Sequence, residues 1–230
     1  MEELRVIHED NHVLVAIKPQ NVLSQKDNTG DVDMTAIVEN YLKTKYGKKG
    51  NVYVGLVHRL DRPTGGVMVF AKTSKAAERL SKAIQAGEME KEYLCVVSGT
   101  FKEKTGKMVH YLKKNALTNM VYVATETTDG AKRAELEYEV LEEKADHSLV
   151  KVRLLTGRGH QIRVQMSSSG HIISGDVRYG SVDKCKMALW AVSLKFEHPV
   201  TKQTMRFISY PDCETTPWKS FNIDGHLRIK

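Results

Sequence analysis

Apolar residues alternate through Val13, Val15 and Ile17, between an Asp10-Asn11-His12 turn and Lys18-Pro19. This period of two predicts a strand that the proline ends. Val6-Ile7 predicts a short strand before it. From 33 to 46 the period lengthens: Ile37, Val38, Tyr41 and Leu42 recur at helical spacing behind Asp33 as a cap, and Gly47 stops the run. Residues 52–56 and 67–71 are apolar runs that predict strands, and Ser74 is the expected cap of a helix to about Ala86 with Ala77, Leu80 and Ile84 on one face. Further strands are predicted at 92–98, 120–125, 135–141, 149–154, 188–196 and 205–209. The polar stretch 99–118 reads as a mobile surface excursion. Strands outnumber helices and connections are short, which predicts an α+β fold on a mixed, largely antiparallel sheet. With no repeat or linker in 230 residues, the expectation is one domain over 1–230, in two lobes with a cleft.

Charge narrows the partners. Lys and Arg outnumber Asp and Glu by 35 to 28, and Lys102, Lys104, Lys107, Lys113 and Lys114 crowd one stretch. That excess suits a phosphate backbone, although a solvated face would show the same composition. Cys95, Cys185 and Cys213 are odd in number and widely spaced, which offers no zinc or redox pair and fits a reducing cytoplasm. The opening Met-Glu-Glu-Leu-Arg lacks the form of a signal peptide, and no apolar run is long enough to span a bilayer. A monomer is expected, since no long apolar stripe is left over.

Two segments carry candidate chemistry: His58-Arg59-Leu60-Asp61-Arg62-Pro63-Thr64-Gly65-Gly66, and Gly157-Arg158-Gly159-His160-Gln161-Ile162-Arg163-Val164. Asp61 sits between two guanidiniums on a loop flanked by apolar runs. A carboxylate attacks carbon only while ionised, and a dry site would protonate it unless a cation opposes that; an arginine, whose charge does not titrate, suits the task. Arg59, Arg62, Arg158 and Arg163 are the candidates, against the plainer possibility of a surface ion-pair turn. A kinase catalytic loop would need a metal-binding Asn four residues on and an upstream glycine-rich loop, and neither is present. Glycoside hydrolysis would need a second carboxylate, which residues 157–165 do not supply. Gly175-Asp176-x-x-Tyr179-Gly180 reads as a turn that closes the site.

The first segment with Ala71-Lys72-Thr73, and the second with Thr156, resemble the signature elements of the RluA-type pseudouridine synthases. Asp10 to Pro19, Lys91-Glu92-Tyr93, Gly170 to Gly180 and Ala188 to Pro199 resemble further elements of that family in the same order, so the resemblance runs from about residue 4 to 211. It implies an RNA pseudouridine synthase acting on ribosomal or transfer RNA without metal or cofactor, on the fold of that family. It implies Asp61 as nucleophile, Tyr93 against the flipped base and Arg163 paired with Asp61. Arg59, Arg62, Lys91, Arg158, His160 and Gln161 are the implied RNA-contacting set, with His160 and Gln161 more suited to orienting their loop than to chemistry. A catalytically silent RNA-binding protein on the same fold is the alternative. Gly65, Gln20-Asn21 and Gln165 depart from the family pattern, and no small RNA-binding domain of the S4 type is expected before residue 4.

Overall fold

The structure is a computed structural model that describes residues 4–227. Met1 to Glu3, on which the signal-peptide reading partly rests, lie outside the described residues. In chain order the strands are β1 (Val6–Glu9), β2 (Val13–Lys18), β3 (Gly55–Leu56), β4 (Gly65–Ala71), β5 (Glu90–Ser98), β6 (Thr105–Lys114), β7 (Val121–Ala124), β8 (Lys132–Lys144), β9 (His147–Leu154), β10 (Leu189–Glu197) and β11 (Thr204–Ile208). The helices are α1 (Met34–Tyr46), α2 (Ser74–Gln85), α3 (Gln161–Ser168) and α4 (Ile223–Leu227), so the chain is a mixed α+β protein. It divides into two compact units, Met1–Lys91 with Ala191–Ser209, and Glu92–Trp190 with Tyr210–Lys230.

In the first unit β2 pairs antiparallel with β1 on one side and with β4 on the other, in a register from Val13 opposite Ala71 to Lys18 opposite Gly66. Every residue of β2 and β4 is buried. The alternation read along β2 therefore understates its burial: Leu14 and Ala16, on the opposite face from Val13 and Val15, are also sealed from solvent. Asp33 caps α1 by accepting from the backbone N–H groups of Thr35 and Ala36, and Gly47 ends the helix in the left-handed region. Helix α1 is also fixed from its side. The Glu9 carboxylate of β1 accepts from Lys45 Nζ and Lys72 Nζ, each at 2.7 Å, and from the hydroxyls of Tyr41 and Tyr46. Burial alone would raise the Glu9 pKa, but these four donors outweigh it and hold it at about 2.

The expected strand over 52–56 shortens to Gly55 and Leu56. A Cβ on Gly55 would fall 2.9 Å from the Ala77 methyl, so the glycine is what lets the chain lie against α2. Ser74 is the first residue of α2 and not its cap: the Thr73 side chain accepts from Ala76 N–H, and the buried residues are Ala76 and Leu80.

In the second unit the strand order is β5-β9-β8-β6-β7. Residues 105–114 form β6, a ten-residue strand in antiparallel register with β7 and β8, so half of the stretch read as a mobile excursion is sheet. Met108 and Leu112 are buried on one of its faces while Lys107 is exposed on the other, an amphipathic pattern that the lysines hide in a composition scan. Leu112, Val121, Ala134 and Val164 form a small apolar cluster against which Tyr179 packs, so α3 is seated on the β6–β7 hairpin.

Candidate active site

The Asp61 loop is held by its backbone. Leu60 donates its N–H to Ser24 Oγ at 3.1 Å, and the Ser24 hydroxyl donates back to the Leu60 carbonyl at 2.7 Å. The Arg62 carbonyl accepts from Asn21 N–H at 2.8 Å and from Lys18 Nζ at 3.0 Å, the Pro63 carbonyl from Gln20 Nε2 at 3.0 Å, and the Asp61 carbonyl from Thr64 N–H at 3.0 Å. Each carbonyl from 60 to 63 thus has a donor, and the half-buried Asp61 side chain projects from a turn with little freedom. Two departures from the family pattern gain a setting here. Asn21 has φ 66°, a left-handed conformation that asparagine tolerates better than most residues, and Gly65 opens a strand with every position buried. Gly66 has φ 126°, and a Cβ there would meet the Ala191 carbonyl oxygen at 2.3 Å, so this position admits only glycine.

Lys18 is the residue of this unit that sequence reasoning used only as the end of a strand. It is fully buried, and Nζ donates to the Pro19 and Arg62 carbonyls at 2.9 and 3.0 Å. Burial pushes its pKa down to about 7 against the attraction of the Asp61 carboxylate, which raises it, while the Arg62 charge lowers it further. A buried amine therefore lies under the loop, and the Asp61 carboxylate favours its charged form. The Lys-Pro dipeptide was its signal. His58, at the start of the loop, accepts from Val69 N–H through Nε2 at 3.1 Å; burial and the nearby Lys91 push its pKa down to about 3, so its imidazole is neutral and carries its proton on Nδ1. Lys91 is half-buried, and burial lowers its pKa too.

The arginines sort themselves by what they touch. Arg62 is exposed, donating to the Asn21 carbonyl at 3.2 Å and pairing with Asp31 at 2.7 Å. Arg59 is exposed, and makes no ion pair with another described residue. In the second unit Arg158 is exposed and donates Nε to the Arg133 carbonyl at 3.0 Å.

Arg163 differs from all three. It is 5% exposed on α3, and grips Asp176, 2% exposed, with Nε to Oδ2 and Nη2 to Oδ1 both at 2.7 Å. Its guanidinium also lies 5.1 Å from the centroid of the Tyr179 ring. A bidentate pair sealed from water fixes both the plane and the direction of the fork. Asp176 is thus more than a turn residue. Tyr179 Oη donates to the Val121 carbonyl at 3.0 Å and lies 3.0 Å from His160 Nδ1, and His160 stands at φ 52° just before α3. Gln161 is 3% exposed: its Oε1 accepts from Thr156 Oγ1 and Arg158 N–H, and its Nε2 donates to the Glu135 carbonyl. These contacts make it the residue that shapes the loop before the helix. Tyr93 is 7% exposed on β5. Among the described residues no group of three or more His, Cys, Asp or Glu side chains could hold a metal ion.

The first unit thus presents a half-buried carboxylate on a firmly tied loop, and the second holds a buried arginine clamped by Asp176. The comparisons with known proteins agree on the class. Residues 12–168 match the RNA pseudouridylate synthase family, and the chain belongs to that family. It is 34% identical over 227 residues to a ribosomal large subunit pseudouridine synthase D of Vibrio cholerae, covering 89% of this chain and 66% of that protein. It is 31% identical over 212 residues to a ribosomal large subunit pseudouridine synthase C of Escherichia coli, covering 87% and 64%. The chain thus spans about two thirds of the length of these relatives. Among solved structures, human RNA pseudouridylate synthase domain containing 4 superposes with a TM-score of 0.76 at 20% identity, covering 90% of this chain and 89% of that one, and it shows that the fold is shared.

Proposed function

We propose that this protein is an RNA pseudouridine synthase, an isomerase that converts particular uridines of ribosomal or transfer RNA, and that residues 1–230 act as one catalytic domain. The observation that carries the reading is the Asp61 loop: a half-buried carboxylate in the family's signature, presented by a backbone whose carbonyls are each held by a donor, one of them the buried Lys18 amine. Asp61 is the nucleophile. The bond between uracil N1 and ribose C1′ breaks, the base turns, and a bond forms between C5 and C1′; the hydrogen on C5 leaves to solvent and N1 gains a proton. The reaction conserves its atoms and needs no oxidant or reductant.

Arg163 is the cation we assign to Asp61. The choice follows the resemblance of its segment to the family's second signature, and its burial on α3 supports it. Tyr93 packs against the extruded base, and Arg59, Arg62, Lys91, Arg158 and His160 contact RNA, with Gln161 acting through the loop it shapes. Extruding a stacked uridine costs a few kcal/mol, which phosphate contacts along the basic surface offset. The protein works as a monomer in the cytoplasm, in keeping with ribosomal RNA as the substrate of the relatives' names.

Tritium release from RNA labelled at uracil C5, followed by mapping of pseudouridine in the same RNA, tests this. Release together with new pseudouridine is expected. RNA binding without release on any bulk RNA would instead make the protein a silent RNA-binding member of the family, and free uracil among the products would make it a hydrolase.

A further inference from the structure

We propose that the outer face of the β6–β7 hairpin is a stacking platform for unpaired nucleotides that flank the modified uridine. The proposal rests on the reading that the substrate is RNA, and it concerns a face of the second unit that carries none of the residues assigned to the reaction.

The register places the platform. Tyr111 lies directly opposite Arg133 on β8, and Tyr122 directly opposite Lys113 on β6, so both rings and both cations belong to one face of the sheet. Val109, 43% exposed, continues that face beside Tyr111, and Tyr122 is itself 43% exposed. The Tyr111 hydroxyl donates to Glu126, which fixes that ring by its edge. Two aromatic rings, each beside a cation, suit nucleic acid whose bases are unstacked: a ring takes the π-face of any base, and the cation takes the phosphate next to it.

Charge decides which end of the face this is. Further along the same sheet lies a hollow of about 480 Å³ lined by Lys107, Lys151, Arg153 and several glutamates. There Lys107 pairs with Glu135, Lys151 with Glu139 and Arg153 with Glu137, so the positive charge is cancelled. At the hairpin end of this face Lys113 makes no ion pair with another described residue, while Arg133 has Glu135 at 3.0 Å. β7 is the last strand in the sheet order, and the loop before it holds Leu117 94% exposed, so the platform lies at a sheet edge.

The test uses the full chain with a fluorescein-labelled single-stranded oligouridine, and a duplex of equal length, in fluorescence anisotropy titrations over a series of salt concentrations. Tyr122→Ala weakens single-strand binding by roughly tenfold and leaves duplex binding unchanged, and Tyr122→Phe keeps the wild-type affinity. Lys113→Gln lowers the slope of log affinity against log salt by about 0.7. The platform is overturned if Tyr122→Ala binds the single strand as the wild type does, if Tyr122→Phe fails as badly as Tyr122→Ala, or if the duplex loses as much as the single strand. It is also overturned if sedimentation shows the wild type self-associating through this edge and Tyr122→Ala dissociating it, which would make the face a protein interface. Tritium release by the wild type separates the two failures: intact release with unchanged Tyr122→Ala binding removes the platform alone, and absent release removes the functional reading beneath it.

Discussion

The two signature segments are fixed by opposite means. In the Asp61 loop the ties run to main-chain carbonyls, from Ser24, Asn21, Lys18 and Gln20, and the functional side chain is left half-buried. On α3 the functional side chain is itself the thing held, buried and clamped by one carboxylate at two points. Under the roles proposed above, the nucleophile stands on a stiff support and stays within reach of substrate, while its counter-cation is locked in a dry site. The first arrangement spreads its support over several donors. The second rests heavily on one buried ion pair, which makes it the more brittle of the two.

The largest stability effect is therefore expected at Asp176. Asp176→Asn leaves a buried guanidinium without its charge partner and should cost about 3–5 kcal/mol, measured by chemical denaturation. A loss comparable to that of a single neutral hydrogen bond would show that the pair is more solvated than its burial indicates. Lys18→Met comes next. It removes the donor from two carbonyls but also relieves the burial of an ammonium, so a net loss of about 1–2 kcal/mol is expected at pH 7.

Lys18 also gives the comparison a pH handle. Its folded pKa of about 7 lies below the ordinary 10.5, so the unfolded chain binds more protons between these values and the Lys18 contribution to stability rises with pH across that window. The gap between wild type and Lys18→Met should accordingly widen from pH 7 to pH 10. A gap that stays constant would mean that the buried amine does not titrate in the folded protein.

Ser24→Ala probes the spread of support more finely. It leaves the Leu60 N–H and carbonyl without their shared hydroxyl partner, for about 1–2 kcal/mol. The smallest effect concerns acid. Glu9 is held at about 2, below its ordinary 4.5, so its contribution is complete above 4.5 and is lost as pH falls toward 2. Glu9→Gln should flatten that acid limb and leave the alkaline side of the profile unchanged.

Local signals were legible where they were chemical. Asp33 as a cap, Gly47 as a stop and Lys18-Pro19 as a strand end are each a single residue type doing what its covalent structure dictates, and all three appear as expected. The strand β6 was illegible because Lys107 and Lys113 alternate with Met108 and Leu112 across its two faces, so average polarity conceals the alternation. Val52 to Val54 read as strand by composition, yet close packing at Gly55 confines pairing to two residues.

In the candidate site, the signatures pointed to two loops but not to the groups that hold them. Asp176 looked like a turn residue because its partner is thirteen positions away, and Ser24 looked like nothing because its partners are main-chain atoms of a loop 36 residues on. Sequence shows which groups are chemically able. Tertiary contacts decide which of them are held and which are free to act.

The most direct test of the central claim, that an ionised Asp61 performs the attack, is C5 tritium release by Asp61→Asn beside the wild type on the same RNA. The variant keeps the shape of the side chain and the backbone ties of the loop while removing the charge. Release that falls to background, with RNA affinity and melting temperature retained, is the predicted result; release at the wild-type rate would contradict the account.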